Sequence, residues 1–458
     1  MSATKGRTSH ARRLIRWVLE LDRPIPARTD QEIEALVEHN YRWNFGANLA
    51  DGASFWLGMS FVSSTTIIPL FVSKLTPSTL AIGLVAMLAQ GGWFLPQIFT
   101  ANWVERLPRR KPVLVSGGLL LERLPVWIFV LAAVLANWWA TLALAVFLVA
   151  YTWNRLGSGT VATSWQDLIA RVIPLKKRGR FWGLTSAIGT GLGFAGAVLS
   201  AWVLSTYPFP TSFVFLFGLA AAILTIGWLF LWLIREPALP PNATRQSQRQ
   251  FLGRLPQLLR QDRPFRHFLV ARVLLALANM GLGFIAVAAV RQWGVSDGTV
   301  GLYTGILLLG QAAGNLIFGL LADGFGHKLS LEWAAGAYTI AFTVAWLAPS
   351  ASWYYVVFFL LGVGQGILVV SGILVVLEFC GPQRRPTYVG MANTAVGLAS
   401  ITGPLLGAWL AARGYGLLFA LSAAISLAAL MLFHWWVQDP RKATIEKPTY
   451  QAADPPRI

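Results

Sequence analysis

The polar turn GLLADGFGHK (319–328) interrupts an otherwise apolar stretch of chain, and it has a counterpart earlier in the sequence. Displaced by 218 residues it falls on ANWVERLPRR (101–110), so that Asp323 meets Glu105, Gly324 meets Arg106 and Lys328 meets Arg110. The same displacement sets Gly301 on Gly83 and Gly310 on Gly92, one apolar run earlier. Further along, a displacement of 207 lays RRPTYVG (384–390) over KRGRFWG (177–183) and Gly366 over Gly159. A sequence that overlays itself in this way reads as two copies of one helical unit with the same orientation.

The composition says where such units reside. Of 458 residues, 55% are apolar and 12% charged, with 21 tryptophans. A water-soluble chain could not hide that much apolar surface, so a soluble enzyme and a disordered scaffold are both excluded. One cysteine, Cys380, rules out a disulfide framework, and five scattered histidines offer no metal set. No G-x-x-x-x-G-K-[ST] run is present, so ATP is not the expected energy source. No cofactor is expected.

A helix needs about 20 residues to cross a hydrocarbon layer of roughly 30 Å. Twelve runs meet that length: approximately 47–72, 79–100, 113–135, 138–162, 182–205, 211–234, 267–290, 299–321, 331–348, 353–377, 387–411 and 415–437. An even count puts both termini on one side. In the loops of the opposite side the basic residues are Lys74, Arg291 and Arg413; Arg123, Arg155 and Arg272 fall inside runs, and the rest of the 37 lie on the side of the termini. The positive-inside rule makes that side the cytoplasm. The net charge of +18 is therefore read as orientation, with contact to anionic lipid, and nucleic acid is not an expected partner.

The expected organisation is a cytoplasmic tail (1–43), a six-helix bundle (44–234), a cytoplasmic linker (235–264), a second six-helix bundle (265–437) and a cytoplasmic tail (438–458). The first tail lacks the apolar core and cleavage site of a signal peptide. Within it ARRLIRWVLEL (11–21) has the spacing of an interfacial helix, and Thr29 with Glu32 forms a capping box that opens a short helix. The linker REPALPPNATRQSQRQFLGRLPQLLRQDRP (235–264) is polar, proline-bearing and arginine-rich.

At this point the residues resemble a known family. GLLADGFGHK is similar to the loop signature of the major facilitator superfamily, G-x-L-a-D-r-x-G-r-k, found between helices two and three and again between eight and nine. RLGSGTVA (155–162) resembles the fourth-helix pattern R-x-x-q-G-x-g-a, with Ser158 in the glutamine place, and GVGQG (362–366) stands at the equivalent place in the tenth run. The first copy of the loop signature departs from the pattern at Ala101, Glu105 and Pro108. The fifth-helix signature of drug–proton antiporters is absent, because that run reads GLGFAGAVLS (191–200). The resemblance implies an all-α integral membrane fold, two pseudo-symmetric six-helix bundles with both termini cytoplasmic. It also implies a central cavity lined by helices one, four, seven and ten.

Under that resemblance the second signature, Gly319, Asp323, Gly326, His327 and Lys328, forms one half of a gate, and Glu105, Arg109 and Arg110 form the other. Gly319 is expected to admit a close helix neighbour, and Asp323 to sit at a helix N-terminus. His327 and Lys328 are expected to pair with Glu378, and Arg109 or Arg110 with Asp167. The alternative is that these charges only fix topology.

Charges within the apolar runs are costly unless they face a cavity or a partner, so each is a candidate. Arg155 lies near the middle of the fourth run, and Asp51 and Arg272 lie toward one end of the first and seventh. Asp51 facing an arginine is the expected proton carrier; pairing near the interface is the other reading. Glu122 and Arg123 are adjacent, hence about 100° apart on a regular helix, which predicts different neighbours for each. Glu122 either partners Arg155 in place of Asp51, or forms a structural pair.

The function these readings favour is secondary active transport of a small solute by alternating access, coupled to protons, by a monomeric multi-pass protein of the cell membrane. A non-transporting receptor or adaptor with the same fold is the alternative. An enzyme is not expected, since no histidine stands with a carboxylate at membrane depth; a membrane-embedded lipid-modifying enzyme is the remotest reading. A slightly positive interior favours an organic anion, while the aromatic content suits lipophilic cations or sugars equally.

Overall fold

The structure, a computed structural model, describes residues 17–104, 107–174, 177–239, 259–380 and 385–439. Glu105, the side chain of Asp323, most of the linker, and the stretches 1–16 and 440–458 lie outside that description. The described residues form helices and turns, with no strand among them.

The capping box is formed: Thr29 Oγ1 accepts from Glu32 N, and Glu32 Oε2 accepts from Thr29 N at 2.8 Å. The helix it opens is long, α1 (Asp30–Ser60), and runs straight into the first apolar run. That run is not one helix. The chain turns at 61–66, where Thr66 Oγ1 is held by Ser63 Oγ at 2.7 Å, and resumes as α2 (Ile67–Leu75). There follow α3 (Thr79–Val104), α4 (Lys111–Gly117), a π-helical turn at Gly118–Arg123, α5 (Leu124–Leu135), α6 (Ala140–Val172), α7 (Arg178–Thr206) and α8 (Thr211–Trp232). The second set comprises α9 (Arg263–Ala278), a 3-10 turn at Asn279–Phe284, α10 (Ile285–Trp293), α11 (Asp297–Phe325), α12 (His327–Leu347), α13 (Trp353–Glu378), α14 (Arg385–Ala411) and α15 (Tyr415–Met431).

Ten helical stretches among the described residues are long and apolar enough to cross a membrane. The expected crossings without such a match are 47–72 and 331–348. The first is broken by its turn and carries Asn48 and Asp51, and the second lies in α12, which opens on His327, Lys328 and Glu332. Polar residues lower the apolar character of each, though both segments are helical.

In the first set, rings of Phe71, Phe129, Phe147, Phe213 and Phe217 interlock, with Phe71 5.1 Å from Phe147 and 5.0 Å from Phe217. Between the sets, α11 packs on α7 and α14 on α3. Small residues set these crossings: a Cβ on Gly301 would lie 2.5 Å from the Ala201 backbone, and one on Gly83 2.8 Å from the Pro404 carbonyl.

Polar bonds between the sets gather at the end away from the termini. Lys74 Nζ lies 2.8 Å from Asp297 Oδ1, Arg291 Nη1 donates to Pro77 O at 3.3 Å, and the Thr66 and Thr304 hydroxyls are 2.5 Å apart. At the terminal end the described pairs stay within one set, as Arg110 with Asp167 and Lys328 with Glu332.

Candidate functional site

The site begins with a proline. Pro125 has no N–H to give the Leu121 carbonyl, and its ring crowds that carbonyl. The helix absorbs the defect as the π-helical turn Gly118–Arg123. Gly157 on α6 covers the released carbonyl so closely that a Cβ there would collide with Leu121 O. At the same place Asn154 Nδ2 donates to Glu122 O at 2.7 Å.

The bulge overrides the expectation that neighbours 122 and 123 look in different directions. Arg123 Nη1 pairs with Glu122 Oε2, while Nη2 lies 3.8 Å from Asp51 Oδ1 on α1. Asp51 and Arg123 are 5% and 6% exposed. Glu122 Oε1 also accepts from Ser158 Oγ at 2.9 Å. Glu122 is thus doubly held, whereas the Asp51 contact is too long for a hydrogen bond. Asp51 Oδ1 and Arg123 Nε are buried with no hydrogen-bond partner among the described residues.

Arg155 does not meet Glu122 or Asp51. Its Nε and Nη2 both donate to Asn154 Oδ1, at 2.8 and 2.5 Å, and its guanidinium lies 5.4 Å from the Tyr151 ring centroid. Arg155, Asn154, Arg123 and Glu122 line a small cavity whose other wall is Phe55, Met59, Phe129 and Tyr151. This cavity is enclosed by helices of the first set. Arg272 stands apart on α9, beside Gly372 of α13.

At the terminal end of the first set the signature residues form a network. Arg110 Nε lies 2.6 Å from Asp167 Oδ2, and Arg171 Nε lies 2.9 Å from the same oxygen. Beneath them Glu236 accepts from the backbone N–H groups of Arg110 and Lys111, each at 2.8 Å. Burial raises the Glu236 carboxyl pKa, against the lowering effect of these N–H groups and of Arg171. Burial likewise lowers the Arg110 pKa, helped by Arg171 and opposed by Asp167. Glu236 was hidden in the linker string. Its one signal is a lone acid between Arg235 and Pro237, directly after an apolar run. Arg109 turns instead to the first tail, donating to Pro24 O at 3.0 Å.

In the second signature Gly326, at φ 93°, makes the sharp corner between α11 and α12, a conformation glycine favours. His327 Nδ1 is 3.2 Å from Ser371 Oγ. Lys328 Nζ lies 3.3 Å from Glu332 rather than beside Glu378, since Glu332 is one turn along the same helix. Among the described residues nothing lies within 4 Å of a Cβ placed on Gly319, so no described helix approaches it closely.

Comparison with known proteins settles the family. The Major Facilitator Superfamily model matches residues 52–290 and 268–456. The chain belongs to the Major Facilitator Superfamily. It is 28% identical over 171 residues to the 4-hydroxybenzoate transporter PcaK of Acinetobacter baylyi, a match covering 36% of each chain. It is 22% identical to MJ1317 of Methanocaldococcus jannaschii, an uncharacterized MFS-type transporter, over 83% of this chain and 92% of that one. This superfamily chain spans about a third of the length of the first curated relatives it matches, 36% and 28%. Its fold resembles the crystal structure of a bacterial homologue of iron transporter ferroportin in the inward-facing state, at TM-score 0.63 and 14% identity, over 90% and 100% of the two chains.

Proposed function

We propose that this superfamily member is a secondary active transporter that carries a small solute by alternating access, coupled to protons. In this reading it spans the cell membrane twelve times as a monomer, in two six-helix bundles (44–234 and 265–437) joined by the linker 235–264. Both termini, with the tails 1–43 and 438–458, are cytoplasmic.

The observation that carries the coupling is the Asp51–Arg123–Glu122 cluster. Two carboxylates share one arginine, and they share it unequally, with Glu122 doubly bonded and Asp51 held at 3.8 Å. A carboxylate whose countercharge has another claimant takes up a proton with the smaller loss of attraction. Asp51 is therefore the proton carrier, and Glu122 keeps Arg123 in place when Asp51 is neutral. Arg155 at the cavity wall is the solute-facing base. The distribution of bonds between the sets supports alternating access, because Lys74–Asp297 and Thr66–Thr304 close one end while Arg110–Asp167 and Lys328–Glu332 remain within their own sets.

The purified full chain in liposomes tests this reading. A pH gradient is expected to drive solute accumulation, and Asp51→Asn is expected to abolish the driven component while leaving exchange of unlabelled for labelled solute. Accumulation by Asp51→Asn equal to the natural chain overturns the assignment of the carrier.

A further inference from the structure

Two residues that line the small cavity of the first set each carry a buried polar atom with no hydrogen-bond partner among the described residues: Arg123 at Nε and Tyr151 at its hydroxyl. Arg123 is 6% exposed and Tyr151 1%. Buried polar groups are nearly always bonded, so both call for a partner between them.

Size and charge choose that partner. The cavity is enclosed and has room for about one water molecule. Around it Arg123 and Arg155 stand with Asp51 and Glu122, two charges of each sign. An added ion would upset that balance at membrane depth, where a lone charge is costly. Water is neutral, accepts from an N–H, and can donate to a phenol or accept from it.

Such a water also accounts for a distance. Arg123 gives Nη1 to Glu122, yet its Nη2 stops 3.8 Å from Asp51 Oδ1. A third bond, from Nε into the cavity, fixes the planar guanidinium and keeps it from closing that gap. The Tyr151 ring is fixed in turn, stacked on Phe147 at 5.6 Å, and it lies 5.4 Å from the Arg155 guanidinium one turn along α6.

We propose that a single water bound in this cavity accepts from Arg123 Nε–H and bonds the Tyr151 hydroxyl, making Tyr151 a positioning residue that links Arg155 to the Asp51–Arg123–Glu122 cluster. A solute drawn to Arg155 displaces the Tyr151 ring, loosens the water and lets Arg123 close on Asp51. The inference rests on the transporter reading above and deepens it by naming the contact between its solute and proton sites.

Dicyclohexylcarbodiimide, which reacts with protonated buried carboxyl groups, tests this on the full-length protein in detergent, with labelling at Asp51 read by peptide mass across pH. Tyr151→Phe keeps the ring, its stack and its contact with Arg155, and removes only the hydroxyl. Arg123 released onto Asp51 favours the carboxylate, so half-maximal labelling is expected at a pH lower by about one unit. Val126 also lines the cavity, and Val126→Ile fills it with a methylene while leaving the hydroxyl. The same shift is expected there, and the double variant should shift no further than either alone. An unmoved profile in either single variant overturns the proposal, and so do shifts that add in the double variant. Val126→Ile decides even if Tyr151→Phe fails to fold. Shifted labelling in a protein that accumulates no solute in liposomes would sink the transporter reading and leave the water bridge standing. Gradient-driven accumulation with unmoved labelling would do the reverse.

Discussion

In the first set of helices Arg123 lies between Glu122 and Asp51, and Arg155 rests on Asn154 and the Tyr151 ring. In the second, the Arg272 guanidinium packs against Gly372, and no carboxylate among the described residues lies within ion-pairing distance of it. The first half thus sets one arginine between two carboxylates and holds another on an amide and a ring, whereas the second half's arginine has neither arrangement. The difference teaches a division of labour that the near-symmetry of the sequence conceals. Under the proposal above, the Asp51–Arg123–Glu122 cluster is the part that carries the proton.

The largest expected effect opposes the two arginines directly. Arg123→Leu strands two buried carboxylates, which costs about 3–5 kcal/mol when one partner of a buried pair is removed. Arg272→Leu strands nothing, so without ligand its stability should match or exceed that of the natural chain. Unfolding free energies from SDS titration in mixed micelles check both. A loss of several kcal/mol in Arg272→Leu would mean that the second half holds an internal partner after all.

Next is a pair of glycines. Gly157→Ala drives a methyl into the backbone carbonyl of Leu121, which cannot retreat without disturbing the π-helical turn; overpacking of this kind costs roughly 1–3 kcal/mol. Gly372→Ala meets only the far end of the Arg272 side chain, which can swing aside, and should cost less than ~0.5 kcal/mol. Pro125→Ala restores the missing N–H and should make Gly157→Ala milder. The same titrations, run as a double-mutant cycle, measure that coupling.

Much of this was legible from residue types alone. Apolar runs separated by basic turns located the helices, and a charge within such a run pointed to Asp51, Glu122, Arg123, Arg155 and Arg272. The pairing was not legible. The 100° between neighbours on a regular helix predicts separate partners for Glu122 and Arg123, whereas within the π-helical turn they pair with each other. Likewise Lys74 and Asp297 stand 223 positions apart and meet only once two crossings, α7 on α11 and α3 on α14, have set the register. Glu236 escaped notice because a single acid in a proline-bearing linker looks like solvent-facing chain, whereas its side chain is 2% exposed.

That hidden acid gives a pH dependence to the terminal end of the first set. A carboxyl whose pKa is raised on folding binds its proton more tightly in the native state than in the unfolded one. Its contribution to stability therefore falls as pH rises from the ordinary glutamate value, about 4.3, through the raised native value. Glu236→Gln should flatten the stability–pH slope over that interval by less than ~1.4 kcal/mol per pH unit. The natural chain is the comparator. Melting curves across that pH range read the difference; an unchanged slope in Glu236→Gln would remove Glu236 from the network's pH response.

The smallest effect on stability belongs to the ion pair that, among the described residues, joins the halves. Lys74 and Asp297 keep 32% and 20% of their side-chain surface, and such pairs contribute about 0–1 kcal/mol. Lys74→Gln should therefore barely move the unfolding midpoint. Yet a fraction of a kcal/mol suffices to shift an equilibrium between two conformers, because closure at this end rests on few polar bonds. Thiol accessibility at Thr66→Cys, which lies at the closed end against Thr304, reports that shift. Labelling from the far side should quicken when Lys74→Gln is added, by about the factor that the pair contributes, roughly two- to fivefold. Unchanged labelling would place closure in the apolar crossings of α7 with α11 and α3 with α14, and leave Lys74–Asp297 as a bystander.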